Sequence, residues 1–67
     1  EKYNKITNRV SIISMEEIKA GQIITENLID IRRPGTGIDP IHFDSIIGKK
    51  VKIDIKKEEP ITFDMLE

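Results

Sequence analysis

Apolar residues along this chain occur in short runs that turn-forming residues interrupt. Isoleucine supplies most of them, and its β-branched side chain favours strands. The main runs are residues 10–13, 23–24, 29–31 and 51–55. None of them is long enough for a strand of an extended sheet. The pattern predicts a mostly β fold of short strands and single helical turns. Ser14 and Glu17, with the spacing of a capping box, indicate the start of one such turn.

A faint repeat links two parts of the chain. The stretch IKAGQIITENLI, residues 18–29, aligns with IKKEEPITFDML, residues 55–66. Units this short cannot each bury their apolar side chains, so the repeat predicts two half-domains related by a pseudo-two-fold axis. Chance similarity in an isoleucine-rich chain is the alternative. Thr25 and Thr62 precede equivalent apolar turns, and each is expected to cap its turn by accepting a backbone N–H bond.

Residues 39–48 have the pattern of the one longer helix. Asp39 suits the N-cap, Pro40 suits the first helical position, and Gly48 suits a left-handed stop. Ile38 and Phe43 have the spacing of a hydrophobic staple. The predicted buried stripe comprises Phe43, Ile46 and Ile47, and the predicted solvent-facing residues are Asp44 and Ser45.

Length and charge narrow the possible partners. The 67 residues hold one domain, and a domain of this size buries only about 60% of the surface that its unfolded chain exposes. With 11 basic and 12 acidic side chains, the chain lacks the positive charge typical of a nucleic-acid-binding module. No apolar run approaches the roughly 20 residues needed to span a bilayer. We therefore expect neither a nucleic acid nor a membrane as partner.

The polar residues 1–8 are expected to be a linker or the cut edge of a fragment, and residues 9–67 the folded domain. The chain has no cysteine, which fits a cytoplasmic location. With no cysteine and one histidine, it also cannot form a Cys-containing zinc site or a multi-histidine centre. Its carboxylates are scattered and do not follow the periodicity of a calcium loop. No metal or other cofactor is therefore expected in this domain.

Catalytic side chains are not evident either. The spacing supports no Ser/His/Asp or Cys/His set, and His42 is expected to be a solvated residue of the helix. The segment Gly35-Thr36-Gly37 lacks the Gly-Lys-Ser/Thr that completes a phosphate-binding loop, so phosphate binding there is a weak alternative. The five lysines between residues 49 and 57 alternate with acidic residues and indicate a solvated surface.

The strongest candidate for chemistry is the segment IRRPGTGIDP, residues 31–40. Arg32 and Arg33 end a strand-like run, and Pro34-Gly35 predicts a type II turn. An arginine on a stiff loop loses less entropy when it binds an acyl, carboxylate or phosphate oxygen. The alternative from the residues alone is that both arginines solvate a sheet edge or pair with nearby carboxylates.

From Asn8 onward the chain resembles the C-terminal antifreeze-like (SAF) domain of sialic acid synthases. The residues that carry this resemblance are R-R-P-G-T-G-I-x-P, then I-G-K-K and D-I-K-K. The same framework is similar to type III antifreeze proteins. The resemblance implies the β-clip, or antifreeze-like pretzel, fold with internal pseudo-two-fold symmetry. In the family a glycine is common in the second turn, where this chain has Glu58-Glu59-Pro60, so a different turn type is expected there.

The resemblance also implies a parent enzyme that condenses phosphoenolpyruvate with N-acetylmannosamine, or a related amino sugar, to give N-acetylneuraminate. A separate (β/α)8 barrel domain would hold the divalent metal, Mn²⁺ or Mg²⁺, and all catalytic groups. The antifreeze-like domain would cover the barrel of the partner subunit in a domain-swapped homodimer. By motif match, Arg33 would bind the sugar, and Pro34, Gly35, Thr36 and Gly37 would shape its loop. Strand alternation places Arg32 on the opposite face, where it would have a structural or dimer-contact role.

Two other classes remain as alternatives. A stand-alone ice-binding protein could use the same fold, although a third of this chain is charged and alanine is nearly absent. The chain could also be a SAF module of a sugar-acid dehydratase or of a pilus or flagellar assembly chaperone. Among synthases, N-acetylmannosamine and the deoxy, diacetamido sugars of legionaminic-type enzymes are all possible substrates.

Overall fold

The structure is a computed structural model that describes residues 9–67. The predicted linker, residues 1–8, lies outside the described residues. Strand β1, Ser11–Ser14, pairs in antiparallel register with β2, Ile29–Arg32, so that Ser11 faces Arg32 and Ser14 faces Ile29. The helical elements are 3-10 turns at Glu26–Leu28, Pro40–His42 and Phe63–Met65, and one α-helical turn, α1, at Phe43–Ile46. Short strands and single helical turns were expected from the sequence.

Backbone pairing follows the sequence repeat. The equivalent residues Ile18 and Ile55 form an antiparallel bridge with each other, and each donates its N–H to the other's carbonyl oxygen at 2.8 and 2.7 Å. The pseudo-two-fold axis therefore passes between them. The remaining isolated bridges also form repeat-related sets: Ile23 with Lys50 matches Ile13 with Pro60, and Val51 with Leu66 matches Ser14 with Ile29. The predicted internal symmetry is confirmed.

The two threonines before the equivalent turns adopt nearly the same backbone, with φ of −118° at both and ψ of 163° at Thr25 and 161° at Thr62. The prediction that their hydroxyls accept a backbone N–H bond is wrong. Each hydroxyl donates to a side chain two residues on, Thr25 to Asn27 Oδ1 at 2.6 Å and Thr62 to Asp64. In each single 3-10 turn, the N–H that the hydroxyl would have bonded already donates to the threonine's own carbonyl oxygen.

The second repeat turn has a left-handed residue at the same position as the first. Glu58 lies in the left-handed region with φ +62°, at the position equivalent to Gly21 with φ +91°. The left-handed position that glycine occupies in the first turn is therefore kept in the second, with glutamate in its place. Ser14 and Glu17 also do not start a helical turn. Ser14 is fully buried at the end of β1, where its hydroxyl donates to the Lys56 carbonyl oxygen and thus joins the two half-domains.

The predicted helix starts as expected but is shorter. Asp39 Oδ1 accepts the Ile41 N–H at 2.9 Å, and Pro40 occupies the first position of a 3-10 turn that leads into α1. The helix ends at Ile46 because the next turn is diverted to the other half-domain, where Gly48 N–H donates to the Ile24 carbonyl oxygen at 2.8 Å. Gly48 has the predicted left-handed backbone, with φ +96°.

The core is almost entirely isoleucine. The predicted helix face is confirmed, since Ile46 is buried, Phe43 and Ile47 are partly buried, and Asp44 and Ser45 are exposed. The core is completed by Ile12, Ile18, Ile24, Ile29, Ile38, Val51, Ile55, Ile61 and Leu66. No helix within residues 9–67 is long and apolar enough to cross a membrane.

Candidate functional site

Arg33 lies in the bend that follows β2. Arg33 is exposed, and among the described residues no carboxylate is within ion-pair distance of its guanidinium. The Arg33-Pro34 peptide bond is cis. The guanidinium is therefore presented at the surface of the described part of the chain, next to a loop that returns to the core at Ile38.

A buried serine of β1 is hydrogen-bonded to this loop at two points. Ser11 is fully buried in β1. Its hydroxyl donates to the Pro34 carbonyl oxygen at 2.5 Å, and the Ser11 hydroxyl oxygen accepts the Gly37 N–H at 3.1 Å. Two further backbone bonds fix the end of the loop, from Ile12 N–H to the Ile38 carbonyl oxygen at 3.0 Å and from Ile38 N–H to Ile61. Sequence reasoning missed Ser11, because a serine in a strand gives no signal of a contact 23 residues away.

The two glycines of the loop are explained by close approach. The predicted type II turn is not formed, because Gly35 does not have the positive φ that such a turn requires. A Cβ on Gly35 would lie 2.5 Å from Arg9 Cβ, and a Cβ on Gly37 would lie 2.7 Å from the Ile61 carbonyl oxygen. Both distances are too short for carbon, so the chain crosses its neighbours at these points with no room for a side chain.

Thr36 is exposed between these glycines and borders an open pocket of about 260 Å³. The pocket is also lined by Gly37, Ile38, Asp39, His42, Thr62 and Phe63. His42 is exposed, as expected, and packs edge-on against Phe63 with 5.4 Å between ring centroids. Its imidazole therefore has a packing partner, and no chemistry is assigned to it.

Arg32 is paired within the domain. Its Nη2 lies 3.1 Å from Asp30 Oδ2, and its Nε donates to the same oxygen at 3.2 Å. The pKa of Asp30 is lowered, first by the Ile31 N–H that donates to Oδ1 at 2.8 Å and then by the guanidinium. Both groups are exposed, so the pair contributes little to stability.

Both arginines line one surface pocket. Arg32 ends β2 and the chain bends at Arg33, so alternation does not continue. The pocket has a volume of about 190 Å³ and is completed by Ile13, Met15 and Glu58. Its lining combines two basic residues, one acidic residue and two apolar residues.

Within residues 9–67, no three His, Cys, Asp or Glu side chains converge as a metal site would require. The divalent metal implied for the parent enzyme is therefore not assigned to any of these residues. No nucleophile with an adjacent base is found at the loop either, and the arrangement can bind and position a ligand.

The chain is similar to known proteins in three comparisons: with curated sequences, with solved structures and with models of protein families. The chain is 33% identical over 58 residues to an uncharacterized protein of Methanocaldococcus jannaschii, covering 87% of this chain and 17% of that protein. It is 32% identical over 57 residues to a pseudaminic acid synthase of Helicobacter pylori, covering 85% of this chain and 17% of the synthase. The chain thus spans about a sixth of the length of these curated relatives.

Among solved structures, the fold is similar to the solution structure of an antifreeze protein like domain from the human N-acetylneuraminic acid phosphate synthase gene. The TM-score is 0.81 at 21% identity, with 85% of this chain and 73% of that chain covered. This likeness confirms the antifreeze-like fold. The family model described as "SAF domain" matches residues 9–67. The chain therefore belongs to the SAF domain family.

Proposed function

We propose that this chain is the substrate-capping domain of a sialic acid synthase or a related sugar-acid synthase. The parent enzyme would condense phosphoenolpyruvate with N-acetylmannosamine or a related amino sugar, and Arg33 would bind that sugar in the barrel of the partner subunit. The observation that carries the proposal is an exposed guanidinium on a loop that the buried Ser11 anchors. Membership of the SAF family and the likeness to a pseudaminic acid synthase support it.

A fixed loop favours this role for a physical reason. Arginine presents five N–H donors in a planar fork, and a binding partner must offset the entropy lost by side chain and backbone. Because the loop is bonded to β1 at Pro34 and Gly37, most of the backbone entropy is already lost on folding. A neutral hydroxyl or amide oxygen of a sugar can then accept a charge-assisted hydrogen bond from Arg33.

The rest of the active site would lie outside this chain. A (β/α)8 barrel domain would supply the catalytic groups and a divalent metal, Mn²⁺ or Mg²⁺, and the two domains would meet across a homodimer. The enzyme would act in the cytoplasm, with neither a nucleic acid nor a membrane as partner. The role of the present chain is to bind and orient the sugar and to cover the barrel mouth.

The experiment is steady-state kinetics of the full-length parent enzyme with Arg33→Ala. A charge-assisted hydrogen bond contributes about 1.5 to 3 kcal/mol, so kcat/KM for the amino sugar should fall by roughly ten- to a few-hundred-fold. Lys49→Ala, which removes an exposed cation at the far end of α1, is the matched control and should change nothing. An Arg33→Ala enzyme with unchanged kcat/KM would refute the proposed function.

A further inference from the structure

Glu58 occupies a backbone conformation that favours glycine. Its φ of +62° places Cβ against the following carbonyl group, a steric cost that glycine avoids. The repeat-related position is Gly21, and nothing lies within 4 Å of the place where its Cβ would be. The first half-domain therefore has glycine at this left-handed position, and the second half-domain has a glutamate whose backbone is strained there.

The turn itself does not need the Glu58 carboxylate. It is closed by the Glu58 N–H, which donates to the Ser14 carbonyl oxygen at 2.7 Å, and by Glu59 Oε1, which accepts the Lys56 N–H at 2.9 Å. In the first half-domain, Gln22 Oε1 accepts the Lys19 N–H in the same way, at 3.0 Å. The side chain that fixes the turn is thus that of Glu59. The hydrogen bonds of the turn do not explain why glutamate occupies the left-handed position 58.

Glu58 lines the same pocket as Arg33. Among the described ion pairs, Arg32 is bound to Asp30, and Glu58 is bound to neither arginine. The Asp30 carboxylate is paired with Arg32, and Glu58 adds one negative charge to a pocket lining that already holds two arginines. A phosphate or carboxylate would meet one free guanidinium and one opposing carboxylate, so the balance of charge favours a neutral group that has both a donor and an acceptor.

We propose that Glu58 is a specificity-determining residue that recognises the N–H of an acetamido group on the sugar. Its carboxylate would accept that N–H while Arg33 donates to the amide carbonyl oxygen, and the methyl group would lie against the partly buried Met15. The amide has one donor, one acceptor and one apolar end, which match the three kinds of side chain in the pocket. This inference rests on the proposed function and adds a second residue and a substrate group to it.

The test compares two sugars in the full-length parent enzyme. One carries the acetamido group, and the other carries an acetoxy group, which keeps the carbonyl and the methyl but lacks the N–H. We expect the unaltered enzyme to prefer the acetamido sugar by roughly ten- to a hundredfold in kcat/KM, and Glu58→Ala to reduce that preference to about threefold or less. Glu26→Ala, an exposed carboxylate of the other half-domain, is the matched control and should keep the preference.

Glu58→Gly separates recognition from backbone conformation. Because glycine relieves the positive-φ cost, this variant should raise the thermal unfolding midpoint of the 67-residue chain, whereas Glu58→Ala should not. Both variants should lose the acetamido preference equally. A preference that survives in Glu58→Ala and Glu58→Gly, while Arg33→Ala still lowers kcat/KM for both sugars, would overturn this inference and leave the proposed function intact. If Arg33→Ala is also without effect, the proposed function fails.

Discussion

Replacing Ser11 with alanine tests whether one buried hydroxyl holds the arginine loop. The hydroxyl forms two hydrogen bonds, one to the Pro34 carbonyl oxygen and one from the Gly37 N–H. Each is worth about 1 kcal/mol net, so both together contribute about 2 kcal/mol. Pro34 is exposed and its carbonyl oxygen can be solvated by water in the variant, whereas Gly37 is partly buried. We therefore expect a loss of about 1 to 2 kcal/mol.

Such a loss is large for a domain of this size. Unfolding free energies of about 0.05 to 0.15 kcal/mol per residue give the chain roughly 3 to 10 kcal/mol in total. For a small domain, 1 to 2 kcal/mol corresponds to a fall in the thermal midpoint of about 4 to 16 °C. Urea unfolding followed by far-ultraviolet circular dichroism measures the free energy directly, and amide exchange at Gly37 reports whether the loop itself has loosened.

Ser45→Ala is the matched control, because Ser45 is exposed on α1 and its change should stay within about 0.5 kcal/mol. The reasoning would be refuted if Ser11→Ala matched this control in unfolding free energy and Gly37 kept its protection from exchange. In that case the hydroxyl would not be what fixes the loop.

Two further predictions follow from the geometry. Gly37→Ala should destabilise the chain by about 1 to 3 kcal/mol, because its Cβ would lie 2.7 Å from the Ile61 carbonyl oxygen. Urea unfolding should show this loss, whereas the control Thr36→Ala should keep the unfolding free energy of the unaltered chain. Equal stability of the two variants would contradict the close approach. The pKa of Asp30 is lowered in the folded state, so its contribution to stability is present above its unfolded pKa of about 3.9 and is lost as pH falls through the folded pKa. Carboxyl NMR titration should find this pKa below the ordinary value and only partly restored in Arg32→Ala, because the backbone N–H donor remains; full restoration would show that the guanidinium is the sole cause.

Local patterns in the sequence were enough to predict several elements. The aligned stretches at 18–29 and 55–66 predicted the two half-domains, and the Asp39-Pro40 pair predicted where the helical segment starts. The start of the helical segment could be predicted because a cap depends on residues a few positions apart, and the half-domains could be predicted because the repeat is visible in the sequence itself. The helix is shorter than its local pattern predicts because the Gly48 N–H donates to the distant Ile24 carbonyl oxygen.

The sequence by itself determined a small antifreeze-like domain of two related halves and drew attention to Arg33. Only the tertiary structure decided that Ser11 holds the loop, that Gly37 is required by the nearby Ile61 carbonyl oxygen, and that Glu58 shares a pocket with both arginines. The physical reason is that these contacts join segments far apart in the chain. Their residues become neighbours only after the half-domains have packed together, and no spacing along the sequence records that proximity.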